Sequence, residues 1–369
     1  MKSPEQLSQS VARFRHGFWD RNRTDRPPVG IVSDEIFMPI GYLRKKFDRP
    51  AVEPADLKAD LCLTDYECAS AHRKVFCDDW IPFNAAWRAI PWLEAMCGCR
   101  VRYATGSLGL ASAADSTEAL RRLNVPADRR WLECLREQTL QLINATVCQT
   151  ATNCCPSDCW VSPTIMRGTS DIIAAMRGLT EFYVDICTDP AAIAELAGQV
   201  NRLWREVADM HFSLAEPRLG GYGHIYGYWA PEKTTVIQED VMGMCSPATY
   251  CELFREHNAR LVRHLGSHVL FHLHSTGYGY YRDVLSIPGL AGLELTVEAN
   301  GPPLPDLLPV LREVLEQSRL ILYVDHGFEH LRPVLSRLPR EGLYVLIPDR
   351  FIGSDDEFRE FVRHVWGAD

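Results

Sequence analysis

The sequence predicts an α/β protein, namely a (β/α)8 TIM barrel with an N-terminal helical extension and insertions over the barrel mouth. From about residue 155 onward, short apolar or β-branched runs alternate with longer helical patterns, which is typical of repeated βα units around a parallel sheet. Eight candidate strands can be counted, and eight βα units close into a barrel. A doubly wound sheet is the alternative, and the absence of a G-x-G-x-x-G motif weakens its dinucleotide-binding form.

Each candidate strand is a short run of apolar or β-branched residues bounded by polar ones. Helical patterns follow the later strands; in residues 246–266, Ser246 occupies the N-cap position and Pro247 the first helical position. The predicted strands cover residues 29–34, 75–83, 159–163, 235–240, 268–274, 291–296, 319–325 and 342–349.

We expect a single barrel domain over residues 1–369. Within it, residues 1–28 form the N-terminal helical extension, and residues 42–158 form a long insert-bearing region over the barrel mouth. This region contains Trp80, Trp87 and Trp92, and we expect Trp80 to line a substrate pocket, although aromatic residues lie more often in the core.

The composition argues against several classes of function. The net charge is −9 and no cluster of Lys and Arg occurs, which is unlike a nucleic-acid-binding protein. No run of about 18 apolar residues and no signal-like N-terminal segment is present, so we expect a cytoplasmic protein. The 13 cysteines are irregularly spaced and indicate reduced thiols; a zinc or iron–sulfur site among them is the less favoured alternative.

Polar residues end every candidate strand. The active site of a (β/α)8 barrel lies at the C-terminal ends of its strands, so these residues are candidates for function. Any single carboxylate is a weak signal, because a strand that leaves the core must end in solvated residues. The candidates are Asp34, Asp78, Asp79, Ser162, Gln238, Glu239, Asp240, His272, His274, Glu294, Asp325, His326 and Asp349.

His272 and His274 form the most informative pair. Residues two apart on a strand share one face, so both imidazoles can point into the barrel mouth. Zn²⁺ accepts such nitrogens together with a carboxylate and keeps one position open, and non-haem Fe(II) favours the same ligand types. Metal-free acid–base work or substrate binding, and plain packing, are the alternatives.

A second polar group, Gln238, Glu239 and Asp240, ends the preceding strand. Period two places Gln238 and Asp240 on one face and Glu239 on the other, so Glu239 or Asp240 is a candidate catalytic carboxylate. An aromatic loop lies before this strand, and tyrosines follow the histidine pair. With Trp80 and Gln238, the expected substrate-binding residues are Tyr226, Tyr228, Tyr278 and Tyr280.

Three long segments, residues 160–196, 236–265 and 269–296, carry a family resemblance, and PWLEAMCGCRV near residue 91 adds to it. In order and spacing they resemble the uroporphyrinogen decarboxylase superfamily, over roughly residues 27–365. This superfamily includes the porphyrinogen decarboxylases and the corrinoid-dependent methyltransferases. The resemblance implies a (β/α)8 barrel, and a homodimer is expected on the same ground.

The motifs favour the methyltransferase branch. The decarboxylases have an early R-Q-A-G-R-like signature and a functional His near the last strand, and this sequence has neither. The methyltransferases bind zinc through an H-x-C motif at the strand end matched here by VLFHLH, and through a later Cys. His272 matches the family histidine, whereas His274 replaces the Cys and no Cys follows Cys251.

The metal ligands must therefore differ from the family set. We expect His272 and His274 with Asp349 as the third ligand, and Asp325, His326 or Glu239 as its alternatives. A zinc ion without thiolate ligands is more Lewis acidic, which suits polarisation of an oxygen better than activation of a thiol.

Residues and resemblance together predict methyl transfer between a small methylated donor and a corrinoid protein or another acceptor, assisted by zinc or another divalent metal. His272 and His274 would bind the metal or polarise the substrate, with Glu239 or Asp240 as the carboxylate partner. The sequence lacks a D-x-H-x-x-G pattern, so a separate protein would carry the corrinoid. A lyase acting on a non-porphyrin substrate, and a non-catalytic barrel that binds a tetrapyrrole or a corrinoid protein, are the alternatives.

Overall fold

The computed structural model describes residues 2–33, 51–72, 76–104, 107–147 and 160–367. Their strands are β1 Val29–Val32, β2 Phe83–Asn84, β3 Arg100–Ala104, β4 Ser107–Ala111, β5 Trp160–Val161, β6 Tyr222–Gly223, β7 Trp229–Ala230, β8 Thr234–Gln238, β9 His268–His274, β10 Gly292–Val297, β11 Arg319–Val324 and β12 Leu343–Pro348.

The helices cover most of the connections between strands. They are α1 Pro4–Arg13, α2 Ala59–His72, α3 Trp92–Met96, α4 Thr117–Arg121, α5 Arg130–Val147, α6 Thr169–Arg177, α7 Leu179–Thr188, α8 Pro190–Leu214, α9 Pro247–Leu253, α10 Arg255–Leu265, α11 Tyr281–Leu285, α12 Leu308–Gln317, α13 Leu331–Leu335 and α14 Asp355–Trp366. None of the helices in the described ranges combines the length and the apolar character that a membrane crossing requires.

A six-stranded parallel sheet forms the centre of the fold. Its strand order is β1-β12-β11-β10-β9-β8, and β2 pairs with β5 in a second, two-stranded parallel sheet. Strands β9 to β12 are almost fully buried, as expected for a parallel sheet covered on both faces. The predicted α/β fold with a parallel sheet is confirmed.

Each of the eight predicted strands overlaps one of these eight parallel strands, and the bounds of 268–274 are unchanged. Asp34, predicted to end the first strand, lies outside the described residues. In the described chain the eight strands form two sheets, so closure into one barrel stays a prediction. The predicted helix over residues 246–266 begins as expected, with the Ser246 hydroxyl accepting a hydrogen bond from the Thr249 amide, but it divides into α9 and α10 at Phe254.

The predicted strand 75–83 is regular only from Phe83. Before it, the Asp79 amide donates to the Val29 carbonyl, but side chains accept the β1 amides. The Asp79 carboxylate accepts the Val29 amide at 3.0 Å, and that of Asp78 accepts the Ile31 amide at 2.8 Å. Arg26 and Arg13 pair with Asp79. Since Val29 begins β1, both carboxylates lie at the amino-terminal end of the sheet, opposite the carboxyl ends at which we expected functional residues.

The N-terminal segment closes that end of the fold. Ser3 caps α1 in a capping box with Gln6, and a π-helical segment, Phe14–Trp19, continues α1. Phe14 packs edge-on against Tyr344 of β12, with ring centroids 4.9 Å apart.

Candidate metal centre

Strand β9 places His272 and His274 on one face at its carboxyl end. Their Nε2 atoms lie 3.0 Å apart, with the rings nearly perpendicular. His272 is buried, whereas His274 is partly exposed. The two imidazoles therefore direct equivalent nitrogen atoms at one point at the edge of the sheet.

Asp240 completes the group from the neighbouring strand. Strand β8 pairs with β9 so that Gln238 lies opposite His272, and Asp240 follows β8 two residues later. Its Oδ1 lies 3.9 Å from Nε2 of His272, and its Oδ2 lies 3.7 Å from Nε2 of His274. The Gln238 side-chain amide donates to Oδ2 at 2.8 Å, whereas Oδ1 is buried and has no hydrogen-bond partner among the described residues.

Carboxylates also contact the far side of each imidazole ring. Glu294, opposite His272 in the β9–β10 register, forms a short hydrogen bond with Nδ1 of His272. Its other oxygen accepts the Thr296 hydroxyl at 2.9 Å. Nδ1 of His274 lies 3.0 Å from Glu298. The hydrogen bond with Glu294 holds the His272 ring with its Nε2 toward His274. Glu298 lies near Nδ1 of His274 without forming a hydrogen bond to it.

Opposite charges in the centre shift the pKa values of His272 and Asp240 toward their ionised forms. Burial disfavours the charged form of His272, but the carboxylates of Glu294 and Asp240 outweigh it and raise the pKa of His272 to about 9. Burial would also raise the pKa of Asp240, but the nearby His274, His272 and Arg167 hold it below its ordinary value. Asp240 is therefore an anion at neutral pH, as a metal ligand must be, whereas His272 is protonated and would release its Nε2 proton when a metal ion binds.

These three side chains fit a divalent metal. Their ligand atoms all lie within 4.8 Å of one another. Zinc binds imidazole nitrogen at about 2.0–2.1 Å, which places two such nitrogens about 2.9–3.4 Å apart at angles near 90–110°. The observed 3.0 Å separation of the Nε2 atoms agrees with this range. Two imidazoles and one carboxylate suit Zn²⁺ or Fe(II) better than Mg²⁺, which prefers oxygen ligands.

The third potential ligand in this group is Asp240, and none of the sequence-predicted third ligands belongs to the group. Asp325 pairs with Arg350 at 2.6 Å. The Asp349 amide donates to the Val32 carbonyl of β1. The third-ligand position that we assigned to Asp349 is thus better filled by Asp240, which the strand register brings beside the histidines. His326 hydrogen-bonds through its amide to the Val297 carbonyl.

Glu239 points away from the histidines, as period two along the chain predicts. It is fully buried, and its Oε2 accepts the Ser170 amide at 2.6 Å and the Ser170 hydroxyl at 2.5 Å. Burial, with the charge of Asp171, raises the pKa of Glu239 to about 8. Because Ser170 lies in the first turn of α6, Glu239 ties that turn to the loop that holds Asp240.

Two of the six expected substrate-binding residues contact the centre. The Tyr226 hydroxyl lies 3.3 Å from Nδ1 of His272, and Gln238 holds Asp240. The Tyr228 hydroxyl pairs with Thr234, and that of Tyr280 donates to the Glu239 carbonyl.

The remaining two expected substrate-binding residues are Trp80 and Tyr278. Trp80 is fully buried against Phe83 and under Gly227, and Tyr278 is partly buried and packs near Tyr281.

Sequence reasoning missed one neighbour of the centre, Glu298. Glu298 follows β10 directly, so counting polar residues just past each strand could have found it.

The fold is similar to that of a solved methyltransferase from Methanosarcina mazei. The two chains are 14% identical with a TM-score of 0.61, and the match covers 96% of this chain and 99% of that chain. At this identity the likeness shows a common fold. No family model matches the sequence, and no curated protein matches it.

Proposed function

We propose that this protein is a metal-assisted enzyme of the methyltransferase type, on the methyltransferase side of the uroporphyrinogen decarboxylase superfamily. It would move a methyl group between a small methylated donor and an acceptor such as a separate corrinoid protein. The observation that carries the proposal is the convergence of two Nε2 atoms and the Asp240 carboxylate, with carboxylates at both Nδ1 positions.

His272, His274 and Asp240 would hold Zn²⁺ or another divalent ion. Such an ion supplies Lewis acidity toward a substrate heteroatom. Glu294 orients His272, Glu298 lies beside Nδ1 of His274, and Gln238 orients Asp240. Three protein ligands leave a fourth tetrahedral position for substrate, as in catalytic zinc sites.

The placement of the centre is consistent with a closed (β/α)8 barrel, in which β2 and β5 would complete the six-stranded sheet. The centre lies at the carboxyl ends of β8 and β9, where such barrels carry their active sites. The shared fold of the M. mazei methyltransferase adds support.

A lyase is the second candidate, and the ligand types favour it. Without thiolate, a bound ion polarises a substrate carboxylate or carbonyl more strongly. In such a lyase the electron pair of the broken C–C bond would pass to the carbonyl, CO₂ would leave, and a proton donor would protonate the remaining carbon.

Metal analysis of matched variants tests the centre. We expect about one divalent ion per chain in the wild-type protein and in Asp349→Ala, and loss of the ion in His272→Ala, His274→Ala and Asp240→Ala. Asp349→Ala is the control, because it removes the carboxylate that the sequence favoured. Full occupancy in both histidine variants would overturn the centre; loss in Asp349→Ala with retention in Asp240→Ala would overturn the assignment of the third ligand.

The reaction is tested on the metal-loaded protein. A panel of methylated amines, alcohols and methoxy compounds is incubated with reduced cobalamin as acceptor, and methylcobalamin is measured. Methylcobalamin that forms with the wild type and not with His274→Ala supports methyl transfer. Release of CO₂ from carboxylic acids, without methylcobalamin, would instead establish the lyase.

A further inference from the structure

The turn that follows β8 carries Asp240, and the first turn of α6 packs against it. Gly168, the N-cap of α6, lies so close to β8 that a Cβ there would overlap the Gln238 carbonyl. Only a residue without a side chain permits this approach. The N-terminus of α6 therefore lies directly against the residues that precede Asp240.

Asp171 of α6 binds the backbone of this turn. Its Oδ1 accepts a hydrogen bond from the Val241 amide at 2.9 Å, and its Oδ2 accepts one from the Gly168 amide at 3.1 Å. Only 1% of Asp171 is exposed, so its oxygens are shielded from water. One buried carboxylate thus joins the start of α6 to the residue that follows Asp240.

A pair of glycines holds the turn from another side. Gly243 packs against Gly277, and a Cβ on Gly243 would lie 2.8 Å from the Gly277 Cα. Gly277 belongs to the turn that follows His274, and its amide donates to the His274 carbonyl at 3.0 Å. The backbone that follows Asp240 is therefore packed directly against the backbone that follows His274.

Two tyrosine hydroxyls bind the carbonyls of the same turn. Tyr280 donates to the Glu239 carbonyl and Tyr183 donates to the Val241 carbonyl, both at 2.8 Å. Partners from α7 and from the segment after β9 therefore hold the backbone on both sides of Asp240. A turn with this many protein contacts needs no ion to keep its shape.

We propose that Asp171 is a positioning residue for Asp240. Together with the contact between Gly243 and Gly277, it sets the Asp240 carboxylate beside the two histidines before an ion binds. A ligand that is already in place binds more tightly, because no ordering of the turn opposes binding. The effect on metal affinity rests on the proposed function; the order of the turn in the metal-free protein does not.

Hydrogen exchange in metal-free protein tests whether the turn is ordered in advance. In the wild type we expect the Val241 amide to exchange about 100-fold or more slowly than an unstructured amide, since it exchanges only when its contact with Asp171 opens. Asp171→Ala should lose most of this protection. Fast exchange in the metal-free wild type with protection only after zinc is added, or full protection in Asp171→Ala, would overturn the proposal.

Zinc dissociation constants of folded variants test the effect on metal binding. Asp171→Ala should weaken zinc binding about tenfold or more, as loss of an outer partner of a metal ligand typically does, and Asp171→Asn, which keeps one acceptor oxygen, should weaken it less. Asp185→Ala is the matched control, because Asp185 is also buried but binds Thr117 and Arg177 at the other end of α6. It should lower stability and leave zinc affinity unchanged. Unchanged zinc affinity in Asp171→Ala would refute the positioning role.

Gly243→Ala separates geometry from charge. It adds a methyl group against Gly277 and changes no charge, so it should also weaken zinc binding, whereas Gly279→Ala, with nothing within 4 Å of a Cβ, should not. A loss in Asp171→Ala without a loss in Gly243→Ala would assign the effect to the Asp171 charge and contradict positioning by geometry. Absence of zinc from the wild-type protein would refute the proposed centre instead, and the exchange experiment would still decide whether Asp171 holds the turn.

Discussion

The Nε2 atoms of His272 and His274 lie 3.0 Å apart. The opposite nitrogen of each ring faces a carboxylate, Glu294 for His272 and Glu298 for His274. Asp240 lies beside the same two Nε2 atoms. Because the carboxylates raise the pKa of His272 to about 9, an ion bound here would displace the Nε2 proton, and the carboxylates would then orient the imidazole rings.

Glu294→Gln should weaken metal binding more than Glu298→Gln. Glu294 is fully buried against His272, whereas Glu298 is partly exposed. Loss of such an outer partner typically costs about 10–100-fold in metal affinity, and we expect Glu294→Gln to fall in that range. Competition with a chromophoric chelator measures the dissociation constants, and an unchanged value for Glu294→Gln would refute the orienting role.

We expect Glu239 to stabilise the fold and to have no catalytic role. Glu239→Ala leaves the buried amide and hydroxyl of Ser170 without their acceptor, which we expect to lower the free energy of unfolding by about 1–3 kcal/mol. Glu239→Gln keeps an acceptor and should cost less, and both variants should retain the metal. If Glu239→Gln folds and binds metal but loses all activity, Glu239 is catalytic, as the sequence alone allowed.

Gly227→Ala should destabilise the loop that carries Tyr226 and Tyr228. Gly227 has a φ of +65°, and a Cβ there would overlap the Trp80 ring. We expect a loss of about 2 kcal/mol or more in denaturant unfolding. Gly279→Ala is the control, because nothing lies within 4 Å of a Cβ at that position. Equal stability of the two variants would show that the loop adapts.

Acid should destabilise the protein through His211. Burial lowers the pKa of His211 to about 3, against a smaller opposing effect of a backbone hydrogen bond with Val161. Below about pH 6.5, His211 becomes protonated in the unfolded chain but stays neutral in the folded chain. Its contribution to the free energy of unfolding is therefore complete above pH 6.5 and is lost as the pH falls toward 3.

The slope from this one group approaches about 1.4 kcal/mol per pH unit. Urea unfolding between pH 7 and 5 should show a flatter dependence for His211→Gln than for the wild type. Parallel curves would indicate that His211 is already protonated in the fold.

The sequence predicted the parallel strands well because their apolar runs are long and end in clear polar positions. It failed at residues 75–83, where the carboxylates of Asp78 and Asp79 take the place of backbone partners of β1. When a carboxylate accepts a hydrogen bond in place of a backbone carbonyl of a neighbouring strand, the hydrophobic periodicity of the sequence does not reveal it.

The candidate site was only partly predictable. Period two correctly separated Asp240 from Glu239, and the spacing of His272 and His274 indicated a common face. The choice among carboxylates depends on the register of β8 against β9, which sets Gln238 opposite His272. Register is a tertiary property, so the sequence favoured Asp349 over Asp240.

X-ray absorption at the zinc edge of metal-loaded protein tests the central claim most directly. The account predicts a first shell of nitrogen and oxygen at about 2.0–2.2 Å, with the outer scattering of two imidazoles, and loss of that imidazole signal in the His272→Ala/His274→Ala double variant. A sulfur atom at about 2.3 Å, or an unchanged spectrum in the double variant, would contradict a centre built from His272, His274 and Asp240.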